Sequence, residues 1–340
     1  MSHMEVKTLQ DPIRLRGSAY PIGVIIPTYN RSDVLISCLK HLERQTWTDF
    51  EVIVVDDGST DSTPRLLEQY SRESPLHLRC FRQNNSGPAR ARNVAIAALR
   101  SPICLMIGDD ILVSPALVLA HLRLHQRKPD IQVAALGLTR WSDSGQIVTK
   151  FMRWLDESGI QFDYNNLLRG ERPNWRHFYT SNLSLKTALL KENPFNESFT
   201  KAAAEDLELG YRLEQQQKLE MAFIPEALAH HLHPTSFHQA CKRMFNVGVS
   251  TQHFHEIWPA SVQTTARSRL RSTVRNFFLS HNQLFFPPLT SLANLLTSVW
   301  CPNPVMRNVL LAYFLLGYQH AQESKEYINL STLNPTVTPK

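Results

Sequence analysis

The sequence has no apolar run of the roughly twenty residues that a membrane-spanning helix needs. The opening residues, MSHMEVKTLQ, also lack the apolar core of a signal peptide. Cysteine is scarce: its five residues are odd in number and widely spaced, which favours reduced core thiols over a disulfide framework. These absences predict a protein of a reducing, cytoplasmic compartment.

Zinc-ligand spacing, a helix–turn–helix signal and interleaved aromatic and basic residues are also lacking, so no nucleic-acid partner is expected. Lys and Arg number 36 against 30 Asp and Glu, which gives a net charge of +6 over 340 residues. A surplus this small favours anionic small ligands such as phosphates over duplex DNA. The length predicts one large domain with an appendage, or two domains.

Strand and helix patterns alternate through the first third of the chain. Apolar, mostly β-branched runs at 22–26, 50–55 and 104–107 predict buried strands, and 77–81 predicts a shorter one. Periodic apolar positions between these runs predict helices. The alternation predicts an α/β fold with a mostly parallel sheet sandwiched by helices.

Two of these strands end in a pair of aspartates beside a glycine. Asp57 is the second carboxylate of one pair, and Asp109 and Asp110 form the other, directly after Gly108. Ligands of open α/β sheets bind at the carboxyl ends of strands, where such side chains can hold a divalent cation and sugar hydroxyl groups. Gly-Asp-Asp is also ordinary turn chemistry, so these residues alone leave both interpretations open.

Four segments in this part of the chain resemble glycosyltransferase family 2, whose members have the Rossmann-like GT-A fold. They are VIIPTYNR at 24–31, QT at 45–46, EVIVVDDGSTD at 51–61 and GPARARN at 87–93. The resemblance implies a metal-dependent, inverting transferase that moves one sugar from a nucleoside-diphosphate sugar to an acceptor hydroxyl group. The implied setting is bacterial glycan or glycolipid assembly, with a UDP-sugar favoured as donor and Mn²⁺ or Mg²⁺ as the cation.

The resemblance also implies roles for residues at the nucleotide end of the site. Pro27, Tyr29 and Asp57 would contact the base, with Asp57 accepting a hydrogen bond from a uracil-like imide. Arg92 would approach the diphosphate or the base, although Arg90 is an equally long cation nearby.

The acidic signature of the family departs from its usual form, because Gly108 stands at its first position. By resemblance, Asp109 would bind the ribose hydroxyl groups and Asp110 the cation that bridges the two phosphates. His231 and His233 lie two apart on an extended segment, so their side chains should point to the same side. A lone histidine is more often structural, but in the family a histidine near here completes the cation site, which matches His231 best and His233 next.

A second acidic pair, Glu205 and Asp206, precedes a helical pattern. Carboxylates in a first turn favour the helix dipole, and this would suffice to explain an isolated pair. The segment also resembles the Glu-Asp motif of the family, which implies that Asp206 is the general base and Glu205 its orienting partner.

The remaining expectations concern regions of the chain. Further strands around a turn at 143–145 are expected within 131–150, and the aromatic-rich stretch 151–180 is expected to be irregular. The predicted divisions are a partly disordered leader at 1–20, a catalytic domain at 21–235 with a nucleotide-sugar half (21–115) and an acceptor half (116–235), and a helical region at 236–340.

The helical region at 236–340 is expected to pack on the catalytic domain. The alternative is peripheral membrane contact, in which this region meets anionic lipid or a lipid-linked glycan acceptor. Four arginines there form a basic cluster: Arg267, Arg269, Arg271 and Arg275.

A different class of function also stays open. Gly108 and the altered turn around Phe195 motivate a non-catalytic nucleotide-sugar or glycan-binding module of the same fold. Such a module would use Asp57 and Asp109 but would leave Asp206 without a role.

Overall fold

The computed structural model describes residues 20–201, 203–261 and 303–333. The strands within these ranges are β1 (Ile22–Thr28), β2 (Phe50–Asp56), β3 (His77–Arg82), β4 (Ile103–Ile107), β5 (Ile111–Val113), β6 (Val133–Trp141), β7 (Asn182–Lys186) and β8 (Glu220–His231). They form one sheet in the order β3-β2-β1-β4-β7-β6-β8-β5.

Ten α-helices are present in the same described ranges: α1 (Ser32–Leu42), α2 (Thr63–Glu73), α3 (Pro88–Ala98), α4 (Leu117–Arg127), α5 (Lys150–Ser158), α6 (Tyr164–Leu168), α7 (Thr187–Glu192), α8 (Glu205–Gln217), α9 (Phe237–Ile257) and α10 (Asn303–Leu333). Short 3-10 helices occur at Trp175–His177 and Pro259–Ser261.

Helices cover both faces of the sheet and create two apolar core layers. Ile22, Val24 and Ile26 of β1 share one layer with side chains of α1, α2 and α4. Ile25 lies in the other layer with side chains of α3, α7 and α8. Strands buried on both faces read as continuous apolar runs, which is why β1 and β2 show no alternation. The predicted α/β sandwich is confirmed.

The order of the strands creates a crevice at one end of the sheet. β1 lies between β2 and β4, and all three are parallel. After β3 the chain returns to the other side of β1, so the loops that follow β1 and β4 diverge at a topological switch point. Such a crevice is the usual ligand site of an open α/β sheet. The signatures after β1 and β4 therefore lie side by side.

The second half of the sheet mixes strand directions. β7 is antiparallel to β4 and β6, whereas β8 is parallel to β6 and antiparallel to β5. Ile107 pairs with Asn182, so β7 begins where β4 ends. Residues that precede β7 consequently lie at the same edge as the acidic loop after β4.

Two expectations from the sequence were wrong in this half. Residues 131–150 supply the single strand β6 before a turn, and the supposedly irregular stretch 151–180 contains α5 and α6. Helices this short are marginal alone and depend on tertiary packing. Phe151 and Leu155 of α5 provide it by packing against α9 and α10.

The described part of the C-terminal region is helical, and α10 packs along α9. Gly248 and Gly317 lie where the two helices cross: a Cβ atom added at Gly248 would lie 2.0 Å from the carbonyl oxygen of Phe314. Among the described residues, no helix is both long and apolar enough to span a membrane. The basic cluster from Arg267 to Arg275 lies outside the described residues.

A buried polar chain joins α4 to β7. Lys186 Nζ donates to His125 Nδ1 (3.1 Å), and His125 Nε2 lies 2.8 Å from Ser184 Oγ. Ser184 Oγ is 2.8 Å from His121 Nδ1, and His121 Nε2 is 2.9 Å from Asn182 Oδ1. Because lysine can only donate, all donors and acceptors match when both histidines are neutral and protonated on Nε2. Burial lowers the pKa of His121 to about 4 and that of His125 to about 3.

This row of hydrogen-bonded side chains should make the stability of the protein sensitive to acid. The folded pKa values lie below the unfolded value near 6.5, so the stabilisation is complete above pH 6.5 and is lost as pH falls toward 4. Each histidine should lower the free energy of unfolding by up to about 1.4 kcal/mol per pH unit in that window. His121→Gln should therefore flatten the pH dependence measured by urea unfolding, whereas His238→Gln, at an exposed position, should not. Equal slopes for both variants would contradict the assignment.

Candidate active site

Three potential metal ligands converge at the crevice. Asp110 Oδ2 lies 3.1 Å from His231 Nε2 and 3.4 Å from His233 Nδ1. The three ligand atoms lie within 4.8 Å of one another, and Asp110 is buried. The two imidazole rings are stacked with centroids 5.4 Å apart, so they do point to the same side as the spacing predicted.

Strand pairing positions His231 opposite the acidic loop. β5 follows Asp110 directly, and Ile111 pairs with His231. Beyond this pair the backbone N–H of Leu232 donates to the carbonyl oxygen of Asp110 (2.8 Å). Two side chains then restrain His231. Gln146, in the loop after β6, donates to its carbonyl oxygen (2.7 Å), and the ring of Trp141, at the end of β6, stacks on its imidazole at 5.1 Å.

This ligand set fits a divalent transition-metal ion. Ligand atoms about 2.1 Å from one ion are roughly 3.0 Å apart at right angles and about 4.2 Å apart on opposite sides, a range that includes the distances from Asp110. One carboxylate and two imidazoles suit ions such as Mn²⁺ better than Mg²⁺, which prefers oxygen ligands. The residues present therefore fit a bound cation.

Asp109 occupies the β1 side of the same loop. Its Oδ2 accepts a hydrogen bond from Thr28 (2.8 Å), and its Oδ1 lies 3.0 Å from Arg31 Nη1. Burial and the neighbouring Asp110 charge raise the pKa of Asp109 to about 6. Burial acts to raise the pKa of Asp110 too, but the charge and hydrogen bond of His231 hold it well below its usual value. Adjacent like charges in one site separate in this way.

Arg31 is the site residue that sequence reasoning missed. Its Nη1 also lies 2.9 Å from Asp110 Oδ2, and its Nη2 is 2.7 Å from His233 Nδ1. It stands at the end of the PTYNR segment, where a basic residue after a strand could have suggested a partner for the acidic loop.

Three residues that were predicted to contact the base lie at strand exits. Tyr29 follows β1 and is 44% exposed, so its ring is available for stacking, and Pro27 is partly exposed beside it. Asp57 follows β2 but is buried, and its oxygens accept hydrogen bonds from Gln83 (2.7 Å), from the Ser86 N–H (2.9 Å) and from one further N–H. A carboxylate has about four acceptor positions, which leaves room for one more donor.

Arg92, which the resemblance places near the diphosphate or the base, pairs with a carboxylate in the structure. Its guanidinium is buried, donates to Glu205 Oε1 (2.8 Å) and lies 5.4 Å from the ring centroid of Phe195. These contacts join it to the second acidic pair. The physical reason is that Glu205 is buried in the first turn of α8 and needs a positive partner.

Asp206 is the second residue of α8, next to this ion pair; the residue is partly exposed, but protein surrounds its carboxyl group. Burial raises its pKa to about 7, and the charge of Glu205 adds to the shift. Ala204, the residue before α8, has φ of 65°, a strained left-handed conformation for a residue with a side chain. Strain of this kind costs of order 1–3 kcal/mol and concentrates at functional sites.

An aromatic layer connects the two acidic groups. Tyr179 precedes β7, and the charge of Asp206 contributes to the raised pKa of its phenol after burial, the main cause. Phe162 packs edge-on against Tyr179 at 4.9 Å and lies 6.3 Å from the ring of His231. Asp206 therefore lies within electrostatic range of Tyr179, at the edge where β4 ends, and Tyr179 packs on the ring that lies beside His231.

Comparison with known proteins gives the family. A sequence model described as Glycosyl transferase family 2 matches residues 23–196, half of the chain. The chain belongs to glycosyltransferase family 2. The validoxylamine A glucosyltransferase of Streptomyces hygroscopicus subsp. jinggangensis is 33% identical over 221 residues, which cover 56% of this chain and 51% of the relative. The chain thus spans about half the length of the curated relatives it matches.

Solved structures agree on the fold. A Pyrobaculum calidifontis mannosyltransferase, solved with GDP-Man and Mn²⁺, superposes with a TM-score of 0.61 at 16% identity and covers 90% of this chain and 88% of its own. Residues 1–349 of Staphylococcus aureus TarS, solved with UDP, give 0.50 at 18% identity with 90% and 91% covered. The predicted GT-A fold is confirmed.

The family signature departs at Gly108 for a local reason. A Cβ atom there would lie 2.8 Å from Asp110 Oδ1, closer than ordinary contact. Glycine thus leaves space for the Asp110 conformation in which Oδ2 meets both histidines.

Proposed function

We propose that this chain is a metal-dependent, inverting glycosyltransferase that moves one sugar from a nucleoside-diphosphate sugar to an acceptor hydroxyl group in glycan or glycolipid assembly. The observation that carries the proposal is the joint presence, at one sheet edge, of a carboxylate–histidine cluster that could hold a metal ion and a carboxylate with a pKa near neutrality. A module that only binds nucleotide sugars would need the first group but not the second.

Asp110, His231 and His233 would hold the cation. When bound, the cation supplies positive charge to a diphosphate leaving group. Two imidazole ligands favour Mn²⁺ over Mg²⁺. The mannosyltransferase that shares this fold was solved with Mn²⁺, which supports the same choice here.

The nucleoside would bind across the exits of β1 and β2. The exposed ring of Tyr29 would stack on the base beside Pro27, and Asp109 would accept hydrogen bonds from ribose hydroxyl groups. The remaining acceptor position of Asp57 matches the one imide N–H of uracil, so a UDP-sugar is the favoured donor. TarS, of the same fold, was solved with UDP, whereas the mannosyltransferase carries GDP-Man.

Asp206 would act as the general base. A base works best when its pKa lies near the working pH, and about 7 satisfies this condition. It would take the proton of the acceptor hydroxyl group as that oxygen attacks the anomeric carbon from the face opposite the diphosphate. A single displacement inverts the anomeric centre, and no covalent sugar–enzyme intermediate is required.

Asp206→Asn should lower the rate of transfer by about 10²–10⁴-fold, because the amide cannot accept the proton. Nucleotide binding, measured by calorimetry with UDP and Mn²⁺, should stay close to that of the unmodified protein. Asp33→Asn is the matched control, since Asp33 is an exposed aspartate in the first turn of α1. Retention of most of the transfer rate by Asp206→Asn would refute the base assignment.

The pH profile should report the same group. Asp206 must be ionised to accept a proton, so kcat/KM should fall as pH decreases through about 7. Glu205→Gln removes a negative charge that raises this pKa and frees the Arg92 cation, and both changes should move the acid limb to lower pH.

The control for this profile is Glu197→Gln, which neutralises an exposed carboxylate paired with Arg90 at 3.8 Å. Its acid limb should coincide with that of the unmodified protein. If the acid limb of Glu205→Gln keeps its pH or moves to higher pH, a group other than Asp206 controls it.

A further inference from the structure

Arg31 lies at the position that the proposed cation requires. Its Nη1 contacts both carboxylates, Asp109 Oδ1 at 3.0 Å and Asp110 Oδ2 at 2.9 Å. Its Nη2 lies 2.7 Å from His233 Nδ1. One guanidinium therefore contacts two of the three cation ligands together with the neighbouring carboxylate.

The contacts involve the lone pairs that a metal ion would use. A guanidinium has no acceptor, so Arg31 donates in each contact and His233 Nδ1 must accept. An accepting Nδ1 is the unprotonated, metal-binding form of that nitrogen. Asp110 Oδ2 likewise serves both Arg31 and the proposed ion. Simultaneous occupancy would also place a positive guanidinium against a divalent cation, which the partly buried setting makes unfavourable.

The backbone directs Arg31 into the crevice. Asn30 has φ of 53°, a left-handed conformation that asparagine tolerates better than most residues, and it turns the chain sharply after β1. This turn is fixed to the loop after β2: the Asn30 N–H donates to Ser59 Oγ (2.8 Å) and its side-chain oxygen accepts from the Thr60 N–H (2.7 Å). Arg31 is thus attached to a restrained turn, while its long side chain can still change conformation.

We propose that Arg31 is a positioning residue of the cation site: its guanidinium holds Asp109 and Asp110 in place in the metal-free protein and is exchanged for the divalent ion when that ion binds. This inference rests on the proposed cation site of Asp110, His231 and His233. It adds that metal affinity is set by competition with a cation of the chain itself. Because of this exchange, a positive charge lies beside the buried carboxylates of Asp109 and Asp110 both in the metal-free and in the metal-bound protein.

Arg31→Met should bind Mn²⁺ at least about tenfold more tightly than the unmodified protein, because the competing charge is gone. The Kd is measured on metal-free protein by calorimetry without nucleotide. The metal-free variant should also have a lower Tm, since two buried carboxylates lose their arginine partner, and Mn²⁺ should raise its Tm more than that of the unmodified protein. Arg31→Lys should bind with intermediate affinity, because lysine keeps the charge but not the planar fork.

Arg79→Met is the matched control. Arg79 pairs with the buried Glu51, and its side chain is 30% exposed, as is that of Arg31. It joins β3 to β2 away from the acidic loop. Its loss should lower the Tm with and without Mn²⁺ by the same amount and leave the Kd for Mn²⁺ unchanged.

The outcomes separate this inference from the function on which it rests. Binding of Mn²⁺ by the unmodified protein, with equal or weaker binding by Arg31→Met, would overturn the exchange and leave the cation site standing. Binding by Arg31→Met alone would support the exchange strongly. Failure of both proteins to bind Mn²⁺ would overturn the exchange and the cation site together.

A second measurement uses the unmodified protein and does not depend on the folding of a variant. Phenylglyoxal modifies accessible arginine side chains, and peptide mass spectrometry locates the modified residues. Mn²⁺ should increase the modification of Arg31 several-fold, because the displaced guanidinium leaves the carboxylates, while modification of Arg79 should not change. Modification of Arg31 that stays constant or decreases with Mn²⁺ would contradict the exchange.

Discussion

The contacts made by Asp110 are the interactions on which the site depends. Through its side chain and carbonyl oxygen it joins the loop after β4 to the end of β8, and through Arg31 it joins that loop to the exit of β1. These segments are distant in sequence and adjacent only because β4 inserts beside β1 and β5 pairs with β8. A buried carboxylate without positive partners would cost several kcal/mol, so the surrounding cations and imidazoles are required by the fold as well as by the function.

The second acidic group is held by the opposite arrangement. Arg92 neutralises Glu205, whereas none of the ion pairs among the described residues includes Asp206. Burial and the charge of Glu205 therefore raise the pKa of Asp206 toward neutrality, although the charges of Arg92 and Arg243 oppose the shift. The two carboxylates thus receive different properties from their partners: Asp110 stays ionised, as the proposed cation ligand must be, whereas the pKa of Asp206 lies near neutrality, as suits the proposed general base. This separation by environment is the general way in which one site combines charge binding with acid–base chemistry.

The sequence predicted the parts of this structure that local patterns determine. The buried strands β1, β2 and β4 appeared as apolar runs, and the pair Glu205 and Asp206 does begin a helix. The short strand β5 and helix α5 escaped prediction because they are stabilised by partners far along the chain rather than by their own periodicity. The particular carboxylates that Arg31 and Arg92 contact are not determined by local sequence for a similar reason: a long cation has many reachable carboxylates, and only the folded arrangement of the strands and α8 selects among them.

The proposed cation site is tested most directly by the position of a bound Mn²⁺ ion, located by anomalous scattering in crystals grown with UDP and Mn²⁺. We expect one strong peak about 2 Å from Asp110 Oδ2, His231 Nε2 and His233 Nδ1, with the Arg31 guanidinium moved out of contact with Asp110. A peak bound by other residues, or nucleotide bound in the crevice with Arg31 still on both carboxylates and no ion beside them, would contradict it.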